Sequence, residues 1–190
     1  MSNLFSVITC FVAGLAILVG CAYHAGSGDR QIPGGYRSIA VPVFKNQTNE
    51  PGIEAYFTNA MIVEIERARV GTVTEKANSQ VTLEGTIQNV KYVGGGPVAG
   101  DNILLPINTV LNTTYTVIVT VKLQLKRNSD LKVLWEGNFS KNSTYQTPKV
   151  GIVGLTSVNA TYNQSARYQN IQLIAADMMS EAHDRLTENF

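Results

Sequence analysis

Cysteine and histidine are nearly absent from this chain of 190 residues, which carries two of each and a single tryptophan. Both cysteines, Cys10 and Cys21, lie near the amino terminus, so no disulfide can staple the rest of the chain. His24 and His183 have no second ligand beside them at metal spacing, and both are expected as solvated or capping residues. Excess charge is missing too: 15 basic against 14 acidic side chains leave +1. A general nucleic-acid binder would be strongly basic, so that class is excluded. A membrane-spanning run is also lacking, because the long apolar stretch Leu4 to Val19 holds 16 residues, includes Ser6 and Thr9, and has no basic stop after it. Stability must come from a hydrophobic core, and 44% apolar content at this length suffices for one domain.

The apolar run ends in Leu18-Val19-Gly20-Cys21 and turns polar at once. Small residues before a cysteine, preceded by aliphatics, form the cleavage pattern of bacterial lipoprotein signals, although Met1-Ser2-Asn3 has no Lys or Arg ahead of the core. Residues 1-20 are therefore expected to be a signal peptide. Cys21 is then expected to carry a diacylglycerol on its thiol and an acyl chain on its new amino terminus, and several chains together anchor durably. Residues 21-35, which contain Gly and Ser and lack apolar periodicity, read as the acylated cysteine and its tether, and residues 36-190 as one domain.

The domain opens with "RSIAVPVF", in which Ile39, Val41 and Val43 alternate as in a strand, while Pro42 demands an edge or a bulge. A helix follows, with Asn49 as its expected cap, Ile53, Phe57, Met61 and Ile65 recurring at four-residue steps, and Gly71 closing it. Val81, Leu83, Gly85 and Ile87 alternate next, and the shift to Val90 and Tyr92 predicts a bulge near Asn89. Tyr115 to Leu125 alternates strictly over six apolar positions, "RNSDLK" turns the chain, and Val133, Trp135 and Phe139 return it as a hairpin. Ile171, Ala175, Met178, Ala182 and Leu186, widened by Ile174 and Met179, form the stripe of a closing helix. The fold class is α+β: a two-layer sandwich in the order β-α-β-β-β-α, with two helices on one face of a mostly antiparallel four-stranded sheet.

Two stretches, 93-112 and 142-163, read as long loops at the same end of the hairpin, and their exposed-looking aliphatics suit insertion into a partner. Chemistry is scarce. Gly94-Gly95-Gly96-Pro97 lacks the lysine and following helix of a phosphate loop, and no nucleophile, base or metal set stands out. An enzyme is not the leading class, and neither a cofactor nor a metal is expected.

Cys21-Ala22-Tyr23-His24, then "SIAVPVFKNQTNEPGIEAYFTNAMIVEI", then a long final helix, together resemble the LptE family. That family shows a Cys-Gly-Tyr-His start and an apolar-Pro-x-Phe-x-Asn strand end; Ala22 replaces its glycine. The resemblance implies an outer-membrane lipoprotein on the periplasmic side that plugs the lumen of an LptD-type β-barrel. It also implies help in that barrel's assembly and in moving lipopolysaccharide to the surface. Ala22, not Asp, after the acylated cysteine permits outer-membrane placement. Lipopolysaccharide is anionic, so Lys91, Lys122, Lys126 and Lys149 are candidates to contact it by their charge alone, not by any family motif. "IAVPVFKNQTNE" also looks like the opening of CsgG-like and LpoB-like lipoproteins, which form secretion pores or activate cell-wall synthases; that alternative stays open.

Overall fold

The computed structural model describes residues 30-99, 110-146 and 160-188. Six strands and two α-helices follow in the order β1 (Ser38–Ala40), β2 (Lys45–Asn46), α1 (Ile53–Ala68), β3 (Thr72–Val73), β4 (Val81–Ala99), β5 (Val110–Arg127), β6 (Val133–Gln146) and α2 (Ala160–Thr187). The α+β class with helices backing a sheet is as expected. The strand count is not: β2 and β3 are two-residue additions, and the sheet is mixed. Its order is β3-β1-β4-β5-β6, with β2 also on β4. β4, β5 and β6 are antiparallel, whereas β1 and β2 run parallel to β4 and β3 runs parallel to β1.

Pro42 divides the opening strand. Ala40 pairs with Thr82 and Lys45 with Thr86, so the four residues 41-44 oppose the three residues 83-85. One extra residue is a bulge, and it ends the expected alternation: Ile39 is fully buried while Val43 is 68% exposed. The bulge turns Phe44 inward over β4. Any Cβ on Gly85 would lie 2.4 Å from that ring, so glycine is what lets Phe44 reach the core. Deep in the same place, the Phe44 amide donates to Thr58 Oγ1 at 3.0 Å, and that hydroxyl donates to the Glu54 carbonyl at 2.7 Å.

Helix α1 buries Ile53, Phe57, Met61 and Ile65, as its spacing predicts. Its ends differ from expectation. Gly52, at φ 81°, starts the helix in place of Asn49, and Arg69, at φ 55°, ends it in place of Gly71. The side chain that organises the entry is Asn46. It donates to the Glu50 carbonyl at 2.7 Å and to Glu54 Oε2 at 2.9 Å, and accepts from the Thr48 amide and hydroxyl. Gly71 serves packing, since a Cβ there would meet Ile32 Cδ1 at 2.7 Å. Ile32, inside the stretch read as tether, is itself core at 1% exposure.

β4 has its bulge between Ile87 and Asn89, where the alternation shifts. β5 buries Val117, Val119, Val121, Leu123 and Leu125 on one face only. The two long loops are shorter than expected, because β4 continues to Ala99 opposite Val110, and β6 continues to Gln146. Backbone pairing can extend through glycines and polar residues that carry no apolar pattern. Residues 100-109 and 147-159 lie outside the described residues. A second bulge, between Leu125 and Lys126 in the β5–β6 pairing, sets Val133 opposite Lys126 on the polar face, so Val133 does not share a side with Trp135. α2 buries its whole predicted stripe. His183 is buried with it, at 2% exposure, and is neither solvated nor a cap; its position on the stripe outweighs its polarity.

Replacing Thr58 by Val leaves the buried Phe44 amide without an acceptor and is expected to lower unfolding stability by about 1–3 kcal/mol in urea titration. Burial holds the His183 imidazole below its ordinary value, against the opposing pull of Asp184 and Glu64. The unfolded chain therefore binds this proton more readily, so stability is full above pH 6.5 and falls as pH drops below it. The slope from this group is at most about 1.4 kcal/mol per pH unit. Thermal melts from pH 7.5 downward should show the loss, and His183→Leu should flatten it.

Candidate functional site

Two surfaces are built by the long strands, one on each side of the sheet. The face turned away from the helices carries Glu84 and Lys91 on β4, Thr116, Ile118, Lys122, Gln124 and Lys126 on β5, and Glu136, Asn142 and Thr144 on β6. Three of the four candidate lysines therefore share one face. Their states differ. Lys126 Nζ lies 2.7 Å from Glu84 and Lys122 Nζ 3.0 Å from Glu136. These pairings hold both carboxyls below their ordinary range: Glu84 through the hydrogen bond from Lys126, Glu136 through hydrogen bonds from Gln124 and then Lys122. Lys91 is exposed and, among the described residues, has no ion-pair partner. Lys149 and Cys21 lie outside the described residues.

The second surface is at the far end of the helix-covered face, where aliphatics give way to tyrosines. Tyr115 and Tyr145 are cross-strand partners with stacked rings 6.0 Å apart between centroids. Tyr92 stands beside them, and Arg167 of α2 lies over its ring, 5.6 Å from the centroid, and 5.4 Å from that of Tyr168. Glu50, held in place by the Asn46 turn, approaches the Arg167 guanidinium to 3.5 Å. The motif that opens the domain thus supplies the counter-charge for a residue more than a hundred positions away.

Together with Asn163 and Gln164, Tyr92, Tyr115, Tyr145 and Arg167 line a cavity of about 390 Å³. Burial raises the phenols of Tyr92 and Tyr145, and nearby Glu50 raises Tyr92 further, so both hydroxyls keep their protons through the neutral range. The Tyr92 hydroxyl is buried beside the Glu50 carboxylate, which acts on it as a longer hydrogen-bond acceptor, whereas Asn163 Oδ1 and Arg167 Nε are buried without a hydrogen-bond partner. Each unpaired group of this kind costs about 1–3 kcal/mol. The cavity offers tyrosine rings against which a flat or apolar group can stack, and its lining holds no nucleophile with a base. Sequence reading missed it, because Tyr92 and Tyr115 counted only as apolar positions in alternating strands. Their place at the end of each run, three tyrosines deep, is the signal that was available.

Among the described residues no group of three or more His, Cys, Asp or Glu side chains could hold a metal, and no helix is long and apolar enough to cross a membrane.

No curated protein matches this chain. Solved structures match in fold. A Helicobacter pylori protein described as a neuraminyllactose-binding hemagglutinin homologue aligns with TM-score 0.52 at 9% identity, over 87% of this chain and 90% of its own. A point variant of the PelC dodecamer from Paraburkholderia phytofirmans aligns with TM-score 0.50 at 11% identity, over 80% of this chain and 90% of its own. At such identities the likeness is one of architecture alone. The family model for lipopolysaccharide assembly, LptE, matches residues 36–189, the span from just before β1 to the end of α2, and by that match the chain belongs to the LptE family.

Proposed function

We propose that this protein is held by lipid on Cys21 at the periplasmic face of the outer membrane, and that its domain seats in the lumen of an LptD-type β-barrel. There it assists the barrel's assembly and the passage of lipopolysaccharide to the cell surface. The observation that carries this reading is the family match over residues 36–189, which takes in every strand and both helices. The signal pattern Leu18-Val19-Gly20-Cys21 and the Ala22 that follows it agree with it.

Physical considerations support the arrangement. A barrel wide enough for a glycolipid leaks unless filled, and a two-layer domain without catalytic demands can fill it. A lipid anchor raises the effective concentration of plug near barrel. Of the three candidate lysines on the polar sheet face, Lys91 has no ion-pair partner among the described residues, whereas Lys122 and Lys126 must first leave Glu136 and Glu84 to meet a phosphate. Contact with anionic lipopolysaccharide therefore falls first to Lys91, with Lys149, outside the described residues, as a further candidate.

Tagged full-length protein extracted in detergent should co-purify with a very large β-barrel protein, and Cys21→Ser should move the protein out of the membrane fraction and reduce barrel yield. A self-assembled ring, or capture of a peptidoglycan synthase in place of the barrel, would favour the CsgG-like or LpoB-like alternative and overturn the reading. In a lipopolysaccharide-binding assay, Lys91→Glu should weaken retention several-fold at low salt and progressively less as salt screens the charge, because an exposed contact of this kind is largely electrostatic. Lys122→Gln and Lys126→Gln should change retention less.

A further inference from the structure

One end of the domain carries groups that neither the core nor the barrel reading uses. It is the end where β1 and β4 begin and where the β5–β6 hairpin turns, and its pieces are tied together. Gln80 Oε1 accepts from the amides of Arg37 at 3.2 Å and Ser38 at 3.4 Å, and the Asn128 amide donates to the Gln80 carbonyl at 2.9 Å. The Asn128 side chain donates to the Ser79 carbonyl and hydroxyl, each at 2.8 Å. The chain arriving from Cys21 lands here as well, pinned where Arg30 pairs with Asp184. The nine peptide steps from Cys21 to Arg30 span roughly 30 Å at most, so lipid on Cys21 holds this end near a bilayer.

Two observations here call for a partner. The first is Leu131, in the hairpin turn. It is 67% exposed and adopts φ 59°, a left-handed conformation that disfavours a branched side chain and that glycine or asparagine adopts routinely. The turn holds it there: its amide donates to the Arg127 carbonyl at 2.9 Å, the Arg127 amide donates to the Lys132 carbonyl at 2.9 Å, and Arg127 pairs with Asp130 at 2.6 Å. Val133, two residues on, is 43% exposed. Leucine is a poor choice for such a turn unless its side chain meets something apolar.

The second is charge. Lys45 and Lys91 apart, every basic side chain without an ion-pair partner among the described residues lies at this end: Arg37, Arg69, Lys76 and Lys132, all exposed. Arg37 and Arg69 line, with Arg30, a cavity of about 590 Å³ in which Glu66 is the one carboxylate among the described residues. The dipole of α1 favours a cation at Arg69, whereas Arg37, Lys76 and Lys132 have no such reason to be where they are.

We infer that this end is a membrane-docking face: Leu131 enters the interface of an anionic phospholipid leaflet, and Arg37, Arg69, Lys76 and Lys132 meet the headgroup phosphates. The inference rests on the lipid-anchor half of the proposed function and not on the barrel. An aliphatic tip beside cations suits the boundary between acyl chains and headgroups, where the tip is buried and the cations stay in the phosphate layer. A soluble phosphate would gain nothing from Leu131. Glu66, Glu75 and Glu188 are unpaired at the same end, so the positive excess is small; it favours a negative surface that the anchor has already brought close. Docking by this end points the long strands and the tyrosine cavity away from the leaflet.

A photoreactive residue tests this in the full-length lipoprotein, reconstituted into vesicles of phosphatidylethanolamine with phosphatidylglycerol, or of phosphatidylcholine. Lipid adducts of Leu131→p-benzoylphenylalanine should exceed several-fold those of Gln146→p-benzoylphenylalanine, at the far end of β6. A tether alone also brings position 131 near lipid, so the deciding readout is charge. Arg37→Glu with Arg69→Glu should lower the adducts at 131 several-fold on the anionic vesicles and leave them unchanged on phosphatidylcholine, and added salt should act in the same way. Should that variant fail to fold, Lys76→Glu with Lys132→Glu gives the same readout. Adducts no more frequent at 131 than at 146 overturn the inference. So does indifference of the 131 adducts to charge reversal and salt, or their loss on adding inorganic phosphate at constant ionic strength, which would mark a site for a free anion. Mass spectrometry of the same digests reads Cys21 separately. An acylated Cys21 without preferential adducts at 131 overturns docking and leaves the anchor; charge-dependent adducts at 131 with an unmodified Cys21 overturn the anchor and leave docking.

Discussion

The strands β4 and β5 are longer than the helices available to cover them. At about 3.4 Å per residue an 18-residue β5 extends roughly 60 Å, while α2, with 28 residues at 1.5 Å each, spans roughly 42 Å. α2 runs obliquely and antiparallel to β6. Arg185 sits over Phe139, Glu181 reaches Lys141, and Asn170 meets the Ser143 hydroxyl. Along that line the sheet is dry, from Leu125 to Val117 on β5. Past it the cover thins, and the residues on the same face become Tyr115, Tyr92 and Tyr145. Tyrosine tolerates that position because its ring fills apolar space while its hydroxyl can meet water or a ligand.

Three linked devices hold the two layers together at this end, and the last two join distant parts of the chain. The Asn46 turn fixes Glu50; Glu50 pairs with Arg167; and Arg167 lies over Tyr92 of β4. The opening strand, the last helix and the middle of the sheet therefore meet at one guanidinium. At the other end, Arg30 pairs with Asp184 at 2.7 Å and Ile32 packs into the core, so the chain preceding β1 is tied down beside the end of α2. A protein held by lipid near residue 21 would have its anchor attached at that end, with the tyrosine cavity and the ends of the long strands at the other.

Among the described residues no helix lies over the sheet's second face. Its lysines and glutamates alternate in sign across strands, which neutralises most of the charge locally and leaves a surface of hydroxyls and amides. Such a face suits the aqueous lumen proposed for it, because Thr and Asn side chains hydrogen-bond to water and to a polar wall equally well. Edge strands left open, such as β6 along its outer side, are usually protected by charge or cover. Here β6 carries Glu136 and Lys141 among its polar residues.

Periodicity makes the long elements legible in the sequence itself. A 3.6-residue stripe or a two-residue alternation reports local backbone and which side is buried, and it identifies α1, α2, the buried face of β5 and the bulge before Asn89. The family motif is legible as well, although its physical work is not: Phe44 needs Gly85 to reach the core, and Asn46 displaces Asn49 as organiser of the helix entry. Where a register is set by a partner strand, sequence alone falls silent. The extension of β4 through three glycines, the two-residue strands β2 and β3, and the turning of Val133 to the polar face all depend on hydrogen bonds to another segment. The tyrosine cavity belongs to the same category. Its residues come from β4, β5, β6 and α2, and none carries a local mark of its role, because a site assembled across the sheet exists only once the strands have paired and the helix has been laid against them.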